Sequence, residues 1–456
     1  MQGTELASHY HKPLALFEEL FGAGKDHVFR APARINILGE HVDYVSYLPT
    51  ASLPFGSHEH EMVMVYRRNE AGIVRGASTN NQFPPFTFDL SEGKPQPHQT
   101  WLEYLYDRPT PNPHWGNYVN GAVFFALHKT MLKRRHGFDF VIGSSIPPQG
   151  GSSSSSALTV LAGAAFREIN DIPFSPAELA QDSAQAEWYV GTRGGALDHT
   201  TICLAERHHA VHVQYAQHQT SLVPLPEGGY KWITFFSHPA DKGREVMLAY
   251  NERAAVSRLL IPAFLRRHSE WKQEGLSPDL AATLIKELPD AIHPAEIRHQ
   301  FPEVYEECRR AFPALIQERN HEPLKLHKRA LHHLGEVKRI SQAVTYLKNS
   351  NDAHSSMRFL GELLNATHES LRDLYEISTP LVNQLHEILM QDTNVLGARL
   401  IGGGFGGNVL ALTTEDHVES LLQHVQAKFY APQNRDAVAE GAIMVSTPGN
   451  GVSRLY

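Results

Sequence analysis

The spacing of apolar positions changes period along this chain. Residues 9–22 place Tyr10, Leu14, Leu16, Phe17, Leu20 and Phe21 at helical intervals and predict a leading helix. Residues 28–38 read as a strand with a turn, and 62–66 and 73–75 carry further β-like runs. Residues 91–114, rich in Pro, His and polar side chains, predict a surface loop. An amphipathic stretch over 117–135 predicts a helix whose basic last turn suits the helix dipole. Residues 138–142 form an alternating strand pattern, and 157–166 have the small and apolar residues of a buried helix. Ser175-Pro-Ala-Glu178 is a capping-box pattern that opens a helix running to about Tyr189.

Beyond residue 200 the pattern shifts. Residues 210–215 and 231–236 alternate as strands. The span 245–392 is mostly helical, with Pro and His interruptions near 287–302 and 312–323. Residues 398–412 read strand, glycine turn, strand, and 441–446 a last strand. A β-rich first part and a helix-plus-strand second part predict an α+β protein in two lobes, with the break near 215–230. No internal repeat is visible.

Composition narrows the classes. The chain has 456 residues, 42% of them hydrophobic and 20% charged, as in ordinary globular proteins with a sizeable core. A net charge of −8 gives no reason to expect nucleic acid or an anionic membrane as partner. Two cysteines, Cys203 and Cys308, form no disulfide framework and fit a reducing compartment. The first residues lack the pattern of a signal peptide, and no apolar run is long enough to span a bilayer, so a cytoplasmic location is expected. The 28 histidines include the clusters His208, His209, His212 and His327, His332, His333. Without companion cysteines these read as mostly surface side chains rather than a metal site.

Four constellations carry chemistry. The first is Gly150-Gly-Ser-Ser-Ser-Ser-Ser156, between an expected strand and an expected helix. Glycines admit close backbone approach, a helix N-terminus favours anions, and serine hydroxyls donate to phosphate or ligate Mg²⁺. The stretch reads as a phosphate cradle. A Ser-rich linker is the bland alternative, but linkers rarely launch directly into an apolar helix. The second is Arg34, Glu40, His41 and Asp43, crowded at a strand end beside Gly39. Carboxylate and imidazole supply the acceptors and donors that sugar hydroxyls need; a charged surface turn is the alternative. The third is Asp198, after glycines 191, 194 and 195, a candidate to accept a hydroxyl proton, with Glu187 preceding it as a possible Mg²⁺ ligand. The fourth is Gly402-Gly-Gly-Phe-Gly-Gly407. The strand-like residues after it exclude the dinucleotide fingerprint and favour a tight loop closing over a ligand.

In this order the segments resemble the GHMP small-molecule kinases, and within them the galactokinases and N-acetylgalactosamine kinases. The resemblance runs from about Phe29 to the C-terminus. It rests on residues 33–44, 147–157 and 402–407, with further matches at 115–121 and 361–376. It implies a two-lobed fold, with a ribosomal protein S5-like N-terminal lobe over 1–215. A ferredoxin-like C-terminal lobe over 216–456 would carry a helical insertion at about 252–345, and the active site would lie in the cleft between lobes.

The resemblance also implies roles. Asp198 would accept or orient the proton of the anomeric hydroxyl, and Arg34 would hold Asp198 ionised and stabilise the moving phosphoryl. Glu40, His41, Asp43 and Tyr250 would bind the sugar. Gly150, Gly151, Ser153, Ser154 and Ser155 would hold ATP phosphates, with Ser154 and Glu187 on Mg²⁺. The implied reaction is ATP-dependent phosphorylation at C1 of galactose or N-acetylgalactosamine, in a monomer. A 1-kinase for another aldose or a uronic acid, and a non-catalytic sugar and ATP sensor, are the alternatives.

The chain departs from the family pattern in places. Ala33 stands for the usual glycine, Ser152 for a leucine and His199 for a glutamine, and the loop after Tyr44 is shorter. That loop borders the sugar, so its shortening bears on substrate identity.

Overall fold

The computed structural model describes residues 8–93, 96, 98–130, 135–147, 151, 153–191, 195–240, 243–271, 275–319 and 321–455. A leading helix, α1 (Ser8–Phe21), packs Tyr10 and Phe17 on the first sheet. That sheet contains β1 (His27–Leu38), β2 (Ala51–Asn69), β3 (Ile73–Ser78), β4 (Phe86–Asp89) and β5 (Gly137–Ser144). It also takes in the hairpin β6 (His209–Gln214) and β7 (Gln219–Pro224). The central pairings are antiparallel; β3 runs parallel to β5. Its covering helices are α2 (Trp101–Tyr106), α3 (Gly116–Thr130), α4 (Ser154–Ile169), α5 (Pro176–Ala186) and α6 (Leu197–Leu204). They and the sheet share one large apolar core.

Several local expectations appear as drawn. The Ser175 capping box forms in both directions. The helix expected over 117–135 is seen over Gly116–Thr130, and residues 131–134 lie outside the described set. The segment 91–114 is more ordered than a loop: Thr100 caps α2, and Trp101 and Tyr104 are buried on its inner face. Two aromatic residues three apart bury enough apolar surface to hold a short helix despite polar flanks.

The second sheet joins β8 (Tyr230–His238) in antiparallel order with three later strands. A helical run follows β8. It begins with α7 (Arg244–Ala255) and continues with α8 (Ile261–Leu265), α9 (Pro278–Leu284), α10 (Pro294–Gln300), α11 (Pro302–Ala311) and α12 (Pro313–Glu318). The short ladder β9 (Ala291–Ile292) with β10 (Leu324–Lys325) ties this run to α13 (His327–Asn349). Then come α14 (Ala353–Asp373), α15 (Pro380–Met390), β11 (Val395–Ile401), β12 (Gly407–Thr414), α16 (Val418–Val425) and β13 (Ile443–Ser446). The order β11-β12-β8-β13, with helices after β8 and β12, is the βαββαβ arrangement of a ferredoxin-like lobe.

The division expected at 215/216 falls in the turn of the β6–β7 hairpin. The chain end also returns to the first sheet, where β14 (Pro448–Gly449) pairs β2 and β15 (Ser453–Arg454) pairs β1. The helical run forms its own core, which takes in Val45, Tyr47 and Leu48 from the loop after β1. The histidines differ from expectation. His332 and His333 are fully buried, as are His199, His368 and His41 within a few per cent. Each of these buried rings has a hydrogen-bonding or ionic partner, which is what lets a polar ring sit in a core. Among the described residues no helix is long and apolar enough to cross a membrane.

Candidate active site

A register shift between Pro32 and Arg34 re-aims β1 against β2 just where the charged cluster begins. Arg34 Nε donates to Asp198 Oδ1 at 2.7 Å, joining β1 to the first turn of α6. Burial alone would raise the Asp198 carboxyl, but the charge and hydrogen bond of Arg34 outweigh it and hold the pKa below its ordinary value. Arg34 Nη1 is buried and has no hydrogen-bond partner among the described residues.

Arg34 and Asp198 open on a cavity of about 660 Å³ that Glu40, His41, Asp43, Tyr44 and Tyr250 also line. The turn that carries them is strained: His41 holds a left-handed φ of 57°. Such backbone in a non-glycine residue persists only where its surroundings enforce it. Burial, with Arg253 nearby, pushes the His41 pKa down to about 4, so its ring is neutral at pH 7. Burial and the Asp198 charge push Asp43 up to about 6. Gly195 sits against Asp43: a Cβ there would lie 2.6 Å from Oδ2. Glu40 is partly committed, since Oε1 accepts from Arg399 Nη2 at 3.1 Å and from Gly402 N at 3.0 Å. The glycine turn between β11 and β12 thus closes on the cavity through Glu40. At Gly402, φ is +82° and a Cβ would meet nothing within 4 Å, so the residue leaves open space toward the cavity.

The serine stretch opens α4. Ser153 is its N-cap, left-handed at φ 61° and buried. Ser154 and Ser155 line a second cavity of about 560 Å³ with Phe83, Trp115, Tyr118 and Ile142. Gly151 is exposed, and Gly150 and Ser152 lie outside the described residues. Glu187 follows α5 in a 3₁₀ turn. The serine that touches it is Ser156, whose Oγ donates to Oε2 at 2.9 Å, rather than Ser154. Two residues turn a helix by about 200°, so neighbours at that spacing face different sides. His199 Nε2 meets the same oxygen at 2.6 Å.

The residues that brace the cavity carry no motif of their own. Glu336 is fully buried on α13; its Oε2 accepts from Gly39 N at 2.9 Å and its Oε1 from Thr367 and Arg339. Arg399 Nη2 also reaches the Asn36 carbonyl at 2.6 Å. Tyr44 OH meets Tyr375 OH at 2.6 Å and His41 Nδ1 at 3.0 Å. Tyr47 OH meets His333 Nδ1 at 2.7 Å. The only signal for Tyr375 was its place in the 361–376 segment; Glu336 and Arg399 gave none.

Three family models match parts of this chain. The model described as GHMP kinases N terminal domain matches residues 117–206, and that of the GHMP kinases C terminal matches 343–431. The galactokinase galactose-binding signature matches 15–51, which includes Arg34 to Tyr44. A galactokinase of Clostridium acetobutylicum is 26% identical over 419 residues, covering 91% of this chain and 92% of that protein. The crystal structure of Lactococcus lactis galactokinase complexed with galactose superposes with a TM-score of 0.71 at 25% identity, over 97% of this chain and 98% of that one. Mevalonate kinase of Methanococcus jannaschii shares the fold, with a TM-score of 0.58 at 16% identity over 94% of this chain and 99% of that one. With both domain matches, the sugar-binding signature and the full-length likeness in hand, the chain belongs to the GHMP kinase family, on its galactokinase branch, and is a sugar kinase.

Proposed function

We propose that the chain transfers the γ-phosphoryl of ATP to the anomeric C1 hydroxyl of a galactose-configured monosaccharide. The observation that carries this reading is the Arg34–Asp198 pair with its unsatisfied Nη1, placed at the sugar cavity. A buried guanidinium N–H without a partner costs free energy unless a ligand answers it, and a transferring phosphoryl does so. Galactose as the sugar is supported by the signature over 15–51 and by the galactokinase relatives.

In this reading Glu40, His41, Asp43 and Tyr250 hold the sugar hydroxyls. Neutral His41 can both donate and accept, which suits a hydroxyl partner. Asp198, held ionised by Arg34, is a weak base; its work is to fix the hydroxyl in line and take its proton late. Phosphoryl transfer demands little more, since positioning and charge neutralisation carry most of the barrier reduction. The cavity with Phe83 and Trp115 suits the nucleotide base, and Ser154 and Ser155 at the start of α4 suit its phosphates.

The donors here also fit Mg²⁺, which takes hard oxygen ligands. Glu187 Oε1 accepts no hydrogen bond among the described residues. Glu187 with Ser154 would hold the ion, with Ser156 steadying the carboxylate. When bound, Mg²⁺ neutralises phosphate charge.

The test is an ADP-release assay with purified protein, ATP and Mg²⁺ over galactose, N-acetylgalactosamine, glucose and mevalonate, with product position read by ³¹P NMR. Sugar 1-phosphate from a galactose-configured substrate is the expected result. Phosphorylation at another carbon, or turnover of mevalonate alone, overturns the reading.

A further inference from the structure

The sugar cavity contains a cation that a neutral sugar does not require. Arg258 lines the same 660 Å³ space as Arg34, Asp43 and Asp198, but it comes from the helical run rather than from the β1 turn. It lies in a π-helical turn, Val256–Leu260, between α7 and α8. There the Ile261 N–H bonds the Val256 carbonyl five residues back. The next residue, Pro262, has no N–H to offer the Arg258 carbonyl four residues back, so the widened turn has a cause in the sequence. Single π turns of this kind are frequent at functional sites.

The arm is guided. The guanidinium carbon stands 4.9 Å from the centroid of the Tyr44 ring. That ring is itself held, by Tyr375 at 2.6 Å and His41 at 3.0 Å through its hydroxyl. Each neighbouring arginine has an ion pair: Arg34 with Asp198, Arg399 with Glu40, and Arg253 with Glu252, the last also bonding the backbone carbonyls of Tyr375 and Glu376. Arg258 has no hydrogen bond or ion pair to any of the described residues; Asp43, lining the same cavity, feels its charge without bonding it. A cation on a fixed platform, facing a ligand space with its donors unspent, is arranged for an anion. Guanidinium matches a carboxylate with two parallel N–H···O bonds. A phosphate dianion fits less well, because a single guanidinium leaves one charge unmatched and Asp43 repels a dianion more strongly than a monoanion.

We propose that Arg258 is a specificity-determining residue that reads a carboxylate on the sugar, so that the preferred substrate is a uronate of galactose configuration. This rests on the sugar 1-kinase reading above and names the substrate class of that same site.

The experiment compares galacturonate, galactose and galactose 6-phosphate as acceptors for the full chain, with the wild type and the variants R258Q and R258K. The wild type is expected to use galacturonate with a kcat/KM at least tenfold above that for galactose. R258Q is expected to narrow that ratio roughly 10- to 100-fold, the range of a charge-assisted pair, and R258K to recover part of it. A ratio left unchanged in R258Q overturns the proposal, whichever sugar is preferred. Equal losses on both sugars also overturn it, and leave Arg258 as a staple for Tyr44. Galactose 6-phosphate outperforming galacturonate overturns the carboxylate assignment. Galactose turnover with no use of galacturonate defeats this inference while the kinase reading stands; no turnover of any sugar defeats both.

Discussion

Arg34 and Asp198 lie 164 residues apart in sequence and meet through a 2.7 Å hydrogen bond between Nε and Oδ1. The contact holds the carboxylate pKa below its ordinary value and leaves Arg34 Nη1 buried without a hydrogen-bond partner among the described residues. It is the point where the first strand meets the first turn of α6.

Removing the charge from this pair tests its role. Asp198→Asn is expected to lower kcat by roughly 10²- to 10⁴-fold while leaving ATP affinity within a few-fold of wild type. Steady-state turnover and calorimetric ATP binding measure the two. Near-normal turnover would remove Asp198 from the reaction.

Asp43 gives the site a pH signature. Its carboxyl is pushed up to about 6 by burial and by Asp198, so it takes up a proton in mild acid, above the range of an ordinary carboxylate. If the ionised form holds a sugar hydroxyl, kcat/KM for the sugar falls as pH drops through about 6. The limb should disappear in Asp43→Asn, on a lower plateau. A wild-type profile flat from pH 5 to 8 would contradict this.

Glu336 supports the sugar turn from beneath. Burial alone would raise its carboxyl, but Arg339, with His332 and Arg399, holds it down to about 2. A carboxylate with a lowered folded pKa stabilises the fold above its ordinary range, and that contribution fades as pH falls toward 2. Glu336→Ala leaves Arg339 and the Gly39 N–H unanswered and should cost about 3–5 kcal/mol. We expect a clear fall in Tm at pH 7 and a raised KM for the sugar, because Gly39 and Glu40 lose their brace. A Tm within a degree of wild type would show that the network is dispensable.

How much of this was legible beforehand differs by element. The periods of 28–38, 157–166 and 398–412 are local, and each appears where its pattern placed it. The Ser175 box was readable because its two hydrogen bonds join residues three apart. The segment 91–114 was misread because the burial that holds α2 comes from Trp101 and Tyr104 meeting a distant helix. The buried histidines were misread for the same reason: whether an imidazole is exposed depends on which segments close over it. Strands β14 and β15 have two residues each, too short to carry any period.

The sequence by itself determined the order of the elements and the charged and glycine-rich turns that can hold a phosphate and a sugar. Those depend on contacts within a few residues, where propensity and spacing suffice. Only the tertiary structure decided that Tyr44 leans on Tyr375, that the loop through Tyr47 is buried in the helical run, and that Arg258 lies over the Tyr44 ring at the cavity. These are meetings of segments more than two hundred residues apart, formed by packing of the whole chain, and no local pattern encodes them.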